Sequence, residues 1–218
     1  MNGELRTLTT LFGYGEDALT LWAVTEKIDL ILKKLNDPEP EFCTVFYRPS
    51  FGRDQYGEFD AIIFTAPKAY LVESKWDGSG GTSIKLEEHQ IRRHEILKWY
   101  HKNWKGEVGE DWDEFAEKNN PDFRDEFTYF VEKNGKMVKM FKYIPSSDTI
   151  LSKNLQTVLD LIIDKDLEDV LLYLHRGNPI DIDTDFKIVK IEYKTTYGNY
   201  IELLSTYTRT GGVCELID

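Results

Sequence analysis

Two cysteines are all that the 218 residues contain, Cys43 inside an apolar run and Cys214 near the last residue. They give neither a disulfide framework nor a zinc-ligand spacing, and both read as buried or incidental thiols. Histidine is nearly as scarce, and His89, His94 and His101 fall in one segment. On a helix His89 and His94 diverge by about 140°, while His94 and His101 lie two turns apart, so the three do not converge on one zinc ion. No apolar run approaches the roughly 18 residues of a membrane span. Met1-Asn2-Gly3-Glu4-Leu5 lacks the basic-then-apolar order of a signal peptide, and a cytoplasmic location is the expectation. Repeats, low-complexity tracts and long linkers are missing too.

Positive charge is also in deficit. The net charge is −12, yet residues 1–106 hold 14 Lys+Arg against 16 Asp+Glu, whereas 107–218 hold 13 against 23. A nucleic-acid partner wants a basic face, so any such face is expected in the near-neutral first half. The length suits one large domain, or one core with an elaboration.

What the chain does have is a pair of short apolar runs that carry charge. Gly57-Glu58-Phe59-Asp60-Ala61-Ile62-Ile63-Phe64 and Ala69-Tyr70-Leu71-Val72-Glu73-Ser74-Lys75-Trp76 are rich in β-branched and aromatic residues. Thr65-Ala66-Pro67-Lys68 supplies a turn between them, so a hairpin is expected. Alternation puts Glu58 and Asp60 on one face of their strand, and Glu73 and Lys75 on one face of theirs. Charges in strands this apolar are costly unless paired or bound to metal. Asp60 and Glu73 on adjacent strands can offer oxygens to one Mg²⁺, with the Ser74 carbonyl as a further ligand and Glu58 placed to join a second ion. Lys75 can orient an attacking water, help deprotonate it and offset phosphate charge. Carboxylates crowded there without metal repel one another, so loss of Glu73 is expected to leave the metal-free protein as stable or more stable.

Asp60, twelve residues, then Glu73-x-Lys75 behind an apolar run resembles the D-x(n)-E-x-K signature of the restriction-endonuclease-like, or PD-(D/E)XK, phosphodiesterase superfamily. Gly57-Glu58-Phe59-Asp60 resembles its G-E-(apolar)-D form, with Phe59 where the proline of the name would stand. The resemblance implies a restriction-endonuclease-like α/β core, with a mixed central sheet flanked by helices. It implies Mg²⁺ as cofactor, with Mn²⁺ able to substitute, and catalytic roles for Asp60, Glu73 and Lys75. A metal-linked glutamate near the start of the first helix is implied as well, and Glu16 resembles it. The Q-x-x-x-Y pair of the RecB-like members is matched by Gln90, while His94 replaces the tyrosine.

Residues 15–35 hold no proline and are expected to form one helix ending at Asn36-Asp37-Pro38. Its buried stripe is Asp17, Leu21, Val24, Ile28, Ile31 and Leu35. Periodicity thus favours Asp17 for the site and the resemblance favours Glu16; both also suit a helix N-terminus, and both stay candidates. Residues 42–47 read as a strand. The loop 48–56, with Arg48, Arg53, Phe51 and Tyr56, is either a phosphate- and base-contacting element or an ordinary polar loop. Asp77-Gly78-Ser79-Gly80-Gly81-Thr82 is glycine-rich enough to let backbone approach the site. A helix over 85–104 has the stripe Leu86, Gln90, Arg93, Leu97, Tyr100 and Trp104. Gln90 and Arg93 occupy apolar positions there and need partners, either the Glu73/Lys75 strand or the helix's own neighbours.

Residues 107–126 carry nine acids against Lys118 and Arg124 and read as a solvated insertion with a short helix over 111–118. Residues 127–131 and 137–142 flank Asn134-Gly135, the strongest hairpin signal in the chain. A helix over 151–163, a buried strand over 170–175 and a second hairpin joining 186–194 to 200–206 complete the expectation. The divisions are a core of 1–106 and about 147–176, an acidic insertion with hairpin at 107–146, and a β-rich C-terminal elaboration at 177–218.

The expected function is Mg²⁺-dependent hydrolysis of phosphodiester bonds in DNA, as an endonuclease, since nothing suggests a helicase partner or a motor. Catalysis is assigned to Asp60, Glu73, Lys75 and Gln90, metal ligation to Asp60, Glu73, Ser74, Glu16 and Glu58. Phosphate contacts are assigned to Arg48, Arg53, Arg92 and Arg93, with Lys98 beside them, and a homodimer is an allowed assembly. Two alternatives stand beside it. One is an RNA-directed nuclease, because the chemistry is the same. The other is a non-catalytic protein that keeps the fold and uses its acidic half to bind a basic partner or to assemble.

Overall fold

Strands apolar on both faces need helices above and below them, and the chain supplies both layers. The structure is a computed structural model that describes residues 8–37, 42–51, 57–79, 83–106, 111–133, 135–140, 142–177, 180–195 and 197–207. In chain order the elements are β1 (Leu8–Gly13), α1 (Glu16–Glu26), α2 (Ile28–Lys34), β2 (Thr44–Tyr47), β3 (Ala61–Phe64), β4 (Lys68–Trp76) and β5 (Ile84–Lys85). There follow α3 (Glu88–Asn103), α4 (Trp112–Phe127), β6 (Tyr129–Lys133), β7 (Lys136–Met140), α5 (Ile150–Ile162), β8 (Asp166–His175), β9 (Ile182–Asp183), β10 (Lys187–Glu192) and β11 (Ile201–Tyr207).

One five-stranded mixed sheet has the order β10-β8-β4-β3-β2. β2, β3 and β4 run antiparallel, β8 lies parallel to β4, and β10 parallel to β8. Ile62, Phe64, Ala69 and Leu71 pack against residues of α3, α4 and α5. Their neighbours Ala61, Ile63, Tyr70 and Val72 pack on the other side against α1 and α2. The period of two along β3 and β4 thus becomes a three-layer α/β architecture. The expected β3–β4 hairpin forms, and so does the β6–β7 hairpin. All six positions of the stripe read from the sequence across α3 are buried. No described helix is long and apolar enough to cross a membrane.

Several expectations are overturned. The 15–35 helix breaks at Lys27 into α1 and α2, which shifts the phase of the stripe. Leu19, Thr20, Ala23 and Val24 are buried in α1, and Asp17 is exposed. Residues 111–127 are not solvated: α4 runs four turns and buries Trp112, Phe115, Ala116, Phe123 and Phe127 in the main core. The aromatic stripe outweighs the acids, which take the outer face. Residues 186–194 and 200–206 form no hairpin, because each finds a longer partner. β10 pairs with β8 over six residues, and β11 pairs with β1. Only the turn survives, Tyr197 and Tyr200 exchanging backbone hydrogen bonds of 3.4 and 2.9 Å. Cys43 is exposed just before β2, and Cys214 lies outside the described residues.

Phe123 is fully buried among the rings of Trp99, Tyr100 and Phe127, at 4.8, 5.4 and 4.9 Å. Phe123→Ala is expected to cost about 3–5 kcal/mol in urea unfolding, whereas Asp125→Asn on the outer face should stay within about 0.5 kcal/mol. Equal losses for the two would return α4 to a solvated role.

Candidate active site at the end of the central strands

Ala61 pairs with Val72 across the β3–β4 ladder, so Asp60, one residue earlier, comes opposite Glu73. Its Oδ2 accepts a 2.7 Å hydrogen bond from the Ser74 backbone N–H. Along β4, Ala69 and Leu71 face α3, and the same alternation delivers Glu73 and Lys75 to that side. Glu73 is fully buried. Its Oε2 accepts from Gln90 Nε2 and its Oε1 from Arg93 Nη1, both at 2.9 Å. The two polar intrusions in the α3 stripe are therefore the donors for this carboxylate.

Each donor is held in turn. Gln90 Oε1 accepts from the Glu87 backbone N–H at 3.0 Å, which caps the start of α3. The Arg93 guanidinium lies 5.7 Å from the Phe59 ring centroid. It also passes so close to Gly57 that a Cβ there would sit 3.3 Å from Nε and Nη2. Gly57 has φ 84 as well, so glycine meets both demands at once.

Beneath Glu73 lies a second line of charge. His94 is buried, with Nδ1 2.8 Å from Asp169 Oδ1 and Nε2 3.4 Å from Glu73 Oε1. A carboxylate only accepts, so Nδ1 carries the proton towards Asp169. The Nε2 atom has no hydrogen-bond partner. Phe59 and Phe186 flank the ring at 4.8 and 4.6 Å. Asp169 also pairs with Lys98. Burial alone would raise the Asp169 pKa, but the hydrogen bonds from His94 and Lys98 outweigh it and hold the group below its usual value.

Glu16 enters from the start of α1, with Oε1 3.9 Å from Lys75 Nζ. Burial pushes its pKa up to about 7; Lys75 opposes this, and Asp60, Asp17 and Glu73 add to it. Asp60 is raised to about 6 by burial and then by Glu73, against the Ser74 N–H, Lys75 and Arg93. Three carboxylates therefore share the site with one ammonium and one guanidinium, and two of them are raised above the usual carboxylate range. Among the described residues no group of three or more His, Cys, Asp or Glu is arranged to hold a metal ion.

Of Glu16 and Asp17, the phase of α1 brings Glu16 beside Lys75. Asp17 points outward and pairs with Arg48, which also takes Glu58 at 2.8 Å. Glu58, expected to join a second ion, faces this arginine, and Arg48, expected to meet phosphate, faces the two acids. Arg93 is buried against Glu73. Arg92 pairs with Glu88 and lies 4.6 Å over the Tyr129 ring. Arg53 lies outside the described residues. The His94–Asp169–Lys98 line has no signal in the sequence: His94 reads there as a rejected zinc ligand and as a replacement for tyrosine, and Asp169, 75 residues away, has no local signal. No family model matches the chain, and neither a curated protein nor a solved structure matches it.

The pairing of Glu73 reverses the expectation for its removal. Arg93→Ala leaves a buried carboxylate short of its counter-ion and should cost about 3–5 kcal/mol in denaturant unfolding. Glu73→Gln strands Arg93 and should also destabilise, and the double variant should lose less than the sum of the singles. Strict additivity would show that the two do not interact.

The raised acids set a pH dependence. Folded protein holds protons on Glu16 and Asp60 between about pH 4 and 7 that the unfolded chain has released, so stability falls as pH rises through that window. Asp169, lowered, acts in the opposite sense and at lower pH. The metal-free melting temperature should drop from pH 5 to 7.5, and Asp60→Asn should flatten the drop; an unchanged slope in the variant would refute the assignment.

Proposed function

We propose that the chain is a divalent-cation-dependent nuclease of the restriction-endonuclease-like kind, hydrolysing phosphodiester bonds in DNA. The observation that carries this is the convergence of Glu16, Asp60, Glu73 and Lys75 from α1, the β3 start and β4, with Gln90 reaching the same carboxylate from α3. The helix, three antiparallel strands, helix and parallel strand around that point support a restriction-endonuclease-like core.

The donor set suits Mg²⁺ or Mn²⁺. Mg²⁺ needs only one or two protein carboxylates and keeps several waters, and a dication would favour the ionised forms of Glu16 and Asp60, which burial and then neighbouring carboxylates disfavour. Asp60 and Glu73 would hold it, with the Ser74 carbonyl and Glu16 beside them. When bound, the ion supplies a hydroxide-like water near neutral pH and neutralises charge on the scissile phosphate. Lys75 orients the attacking water and answers charge on the phosphate oxygens. Gln90 and Arg93 fix the Glu73 rotamer, and the apolar walls around Phe59 keep competing water away from it.

Cations for the backbone of the substrate lie on the β6–β7 hairpin, in Lys136 and Lys139 of β7. Lys136 and Lys139 are exposed. The base of this hairpin touches Arg92 of α3, two residues from Gln90. The basic element thus interrupts the acidic second half of the chain.

One observation favours the non-catalytic alternative: both oxygens of Glu73 are already answered by protein donors. Calorimetry separates the two. Purified protein should bind Mn²⁺, and Asp60→Ala should abolish binding while keeping its circular dichroism. Lys75→Ala should cut cleavage of single-stranded, duplex or branched DNA by about 100-fold or more, with DNA binding kept within a few-fold, since one charge is a small part of affinity. Wild-type protein that neither binds Mn²⁺ nor cleaves DNA or RNA would leave the non-catalytic reading in place.

A further inference from the structure

Large aromatic rings left in water ask for an explanation when they gather in one place. Phe12, Tyr14, Tyr197 and Tyr200 are 44 %, 58 %, 74 % and 48 % exposed. They also touch. Tyr14 meets Trp76 edge-on at 5.6 Å and Tyr200 at 5.8 Å, and Phe12 meets Tyr197 at 6.1 Å. The frame that carries them is fixed. Tyr197 and Tyr200 close their turn with reciprocal backbone hydrogen bonds. The Trp76 ring lies against Gly78 so closely that a Cβ there would come within 2.4 Å of it. Tyr193 Oη donates at 2.7 Å to Asp77 Oδ1, which ties down the turn after Trp76.

The cluster adjoins the acidic site through the chain itself. Tyr14 stands two residues before Glu16, and Trp76 directly follows Lys75. Arg176, with a half-exposed side chain, borders it 3.6 Å from Asp77. A set of exposed rings on a fixed turn, with Arg176 nearby and continuous with residues that would act on a phosphodiester, has the chemistry of a stacking platform. Bases inside a duplex already stack on one another and cannot use such rings, whereas unpaired bases can.

We propose that Tyr14, Tyr200, Tyr197 and Phe12, backed by Trp76, stack the bases of an unpaired strand, and that single-stranded nucleic acid is the substrate form this site takes. The inference rests on the nuclease reading for what happens to the strand, but the stacking is measurable without any cleavage.

The test is fluorescence anisotropy with a labelled twelve-nucleotide oligo(dT) and with its duplex, at low salt in EDTA. Wild-type protein should bind the single strand more tightly than the duplex. Tyr14→Ala/Tyr200→Ala should weaken oligo(dT) binding by about tenfold or more for each ring, and Tyr14→Phe/Tyr200→Phe should stay within about twofold of wild type, because stacking needs the ring and not the hydroxyl. Both pairs alter exposed rings and should keep the wild-type melting temperature. Wild-type affinity in the alanine pair, a preference of wild-type protein for duplex, equal losses in the alanine and phenylalanine pairs, or no binding of oligo(dT) would each overturn the platform. Loss of Mn²⁺ binding or cleavage with the stacking pattern intact would instead overturn the nuclease reading alone.

Discussion

A carboxylate with no access to water sits in the central strand of the sheet, and the surrounding structure is arranged to answer it. Glu73 without partners would cost several kcal/mol, and two donors from α3 meet it. This is why α3 carries Gln90 and Arg93 on a stripe otherwise made of leucine, tyrosine and tryptophan. Gly57 leaves room for the arginine, and Phe59 gives its guanidinium a surface. Gln90 caps α3 with one end of its amide and binds Glu73 with the other, so the start of the helix and the charge in the strand are fixed by one side chain.

The acids around Glu73 divide by how they are satisfied. Glu73 is met by donors at hydrogen-bonding distance and belongs to the scaffold as much as to any reaction. Asp60 and Glu16 are not so well served. Asp60 has one backbone N–H, and Glu16 has an ammonium 3.9 Å away. Burial with too little positive charge raises both, Glu16 to about 7 and Asp60 to about 6. The electrostatic deficit lies in these two groups, and that is where an added dication would be worth most.

Short-range pattern was enough for much of the architecture. Alternation along 61–64 and 69–76 was enough for the hairpin and for the side on which Glu73 lies. The four-three spacing of 85–104 determined every buried position of α3 that was read from it. Asn134-Gly135 determined its turn. Each of these rests on contacts between residues close in sequence, or on a period that one element imposes by itself.

What failed required a partner far along the chain. α4 passes through Pro121, a change that costs about 3 kcal/mol in an isolated helix, and persists because Phe123 and Phe127 bury beyond it. β10 and β11 leave their common turn because β8 and β1 offer longer ladders. The phase of α1, which brings Glu16 beside Lys75, was decided by the break at Lys27 and by packing on the sheet. The sequence by itself put Asp60, Glu73 and Lys75 at one end of a hairpin and placed Gln90 and Arg93 on the buried face of the helix after it, because a hairpin and a helix face are local objects. Only the tertiary structure decided that His94 turns inward beneath Glu73, that Asp169 lies against it, and that Arg48 pairs with Asp17. Asp169 lies 75 residues from His94 and Asp17 lies 31 from Arg48, so no pattern among nearby residues selects these pairings.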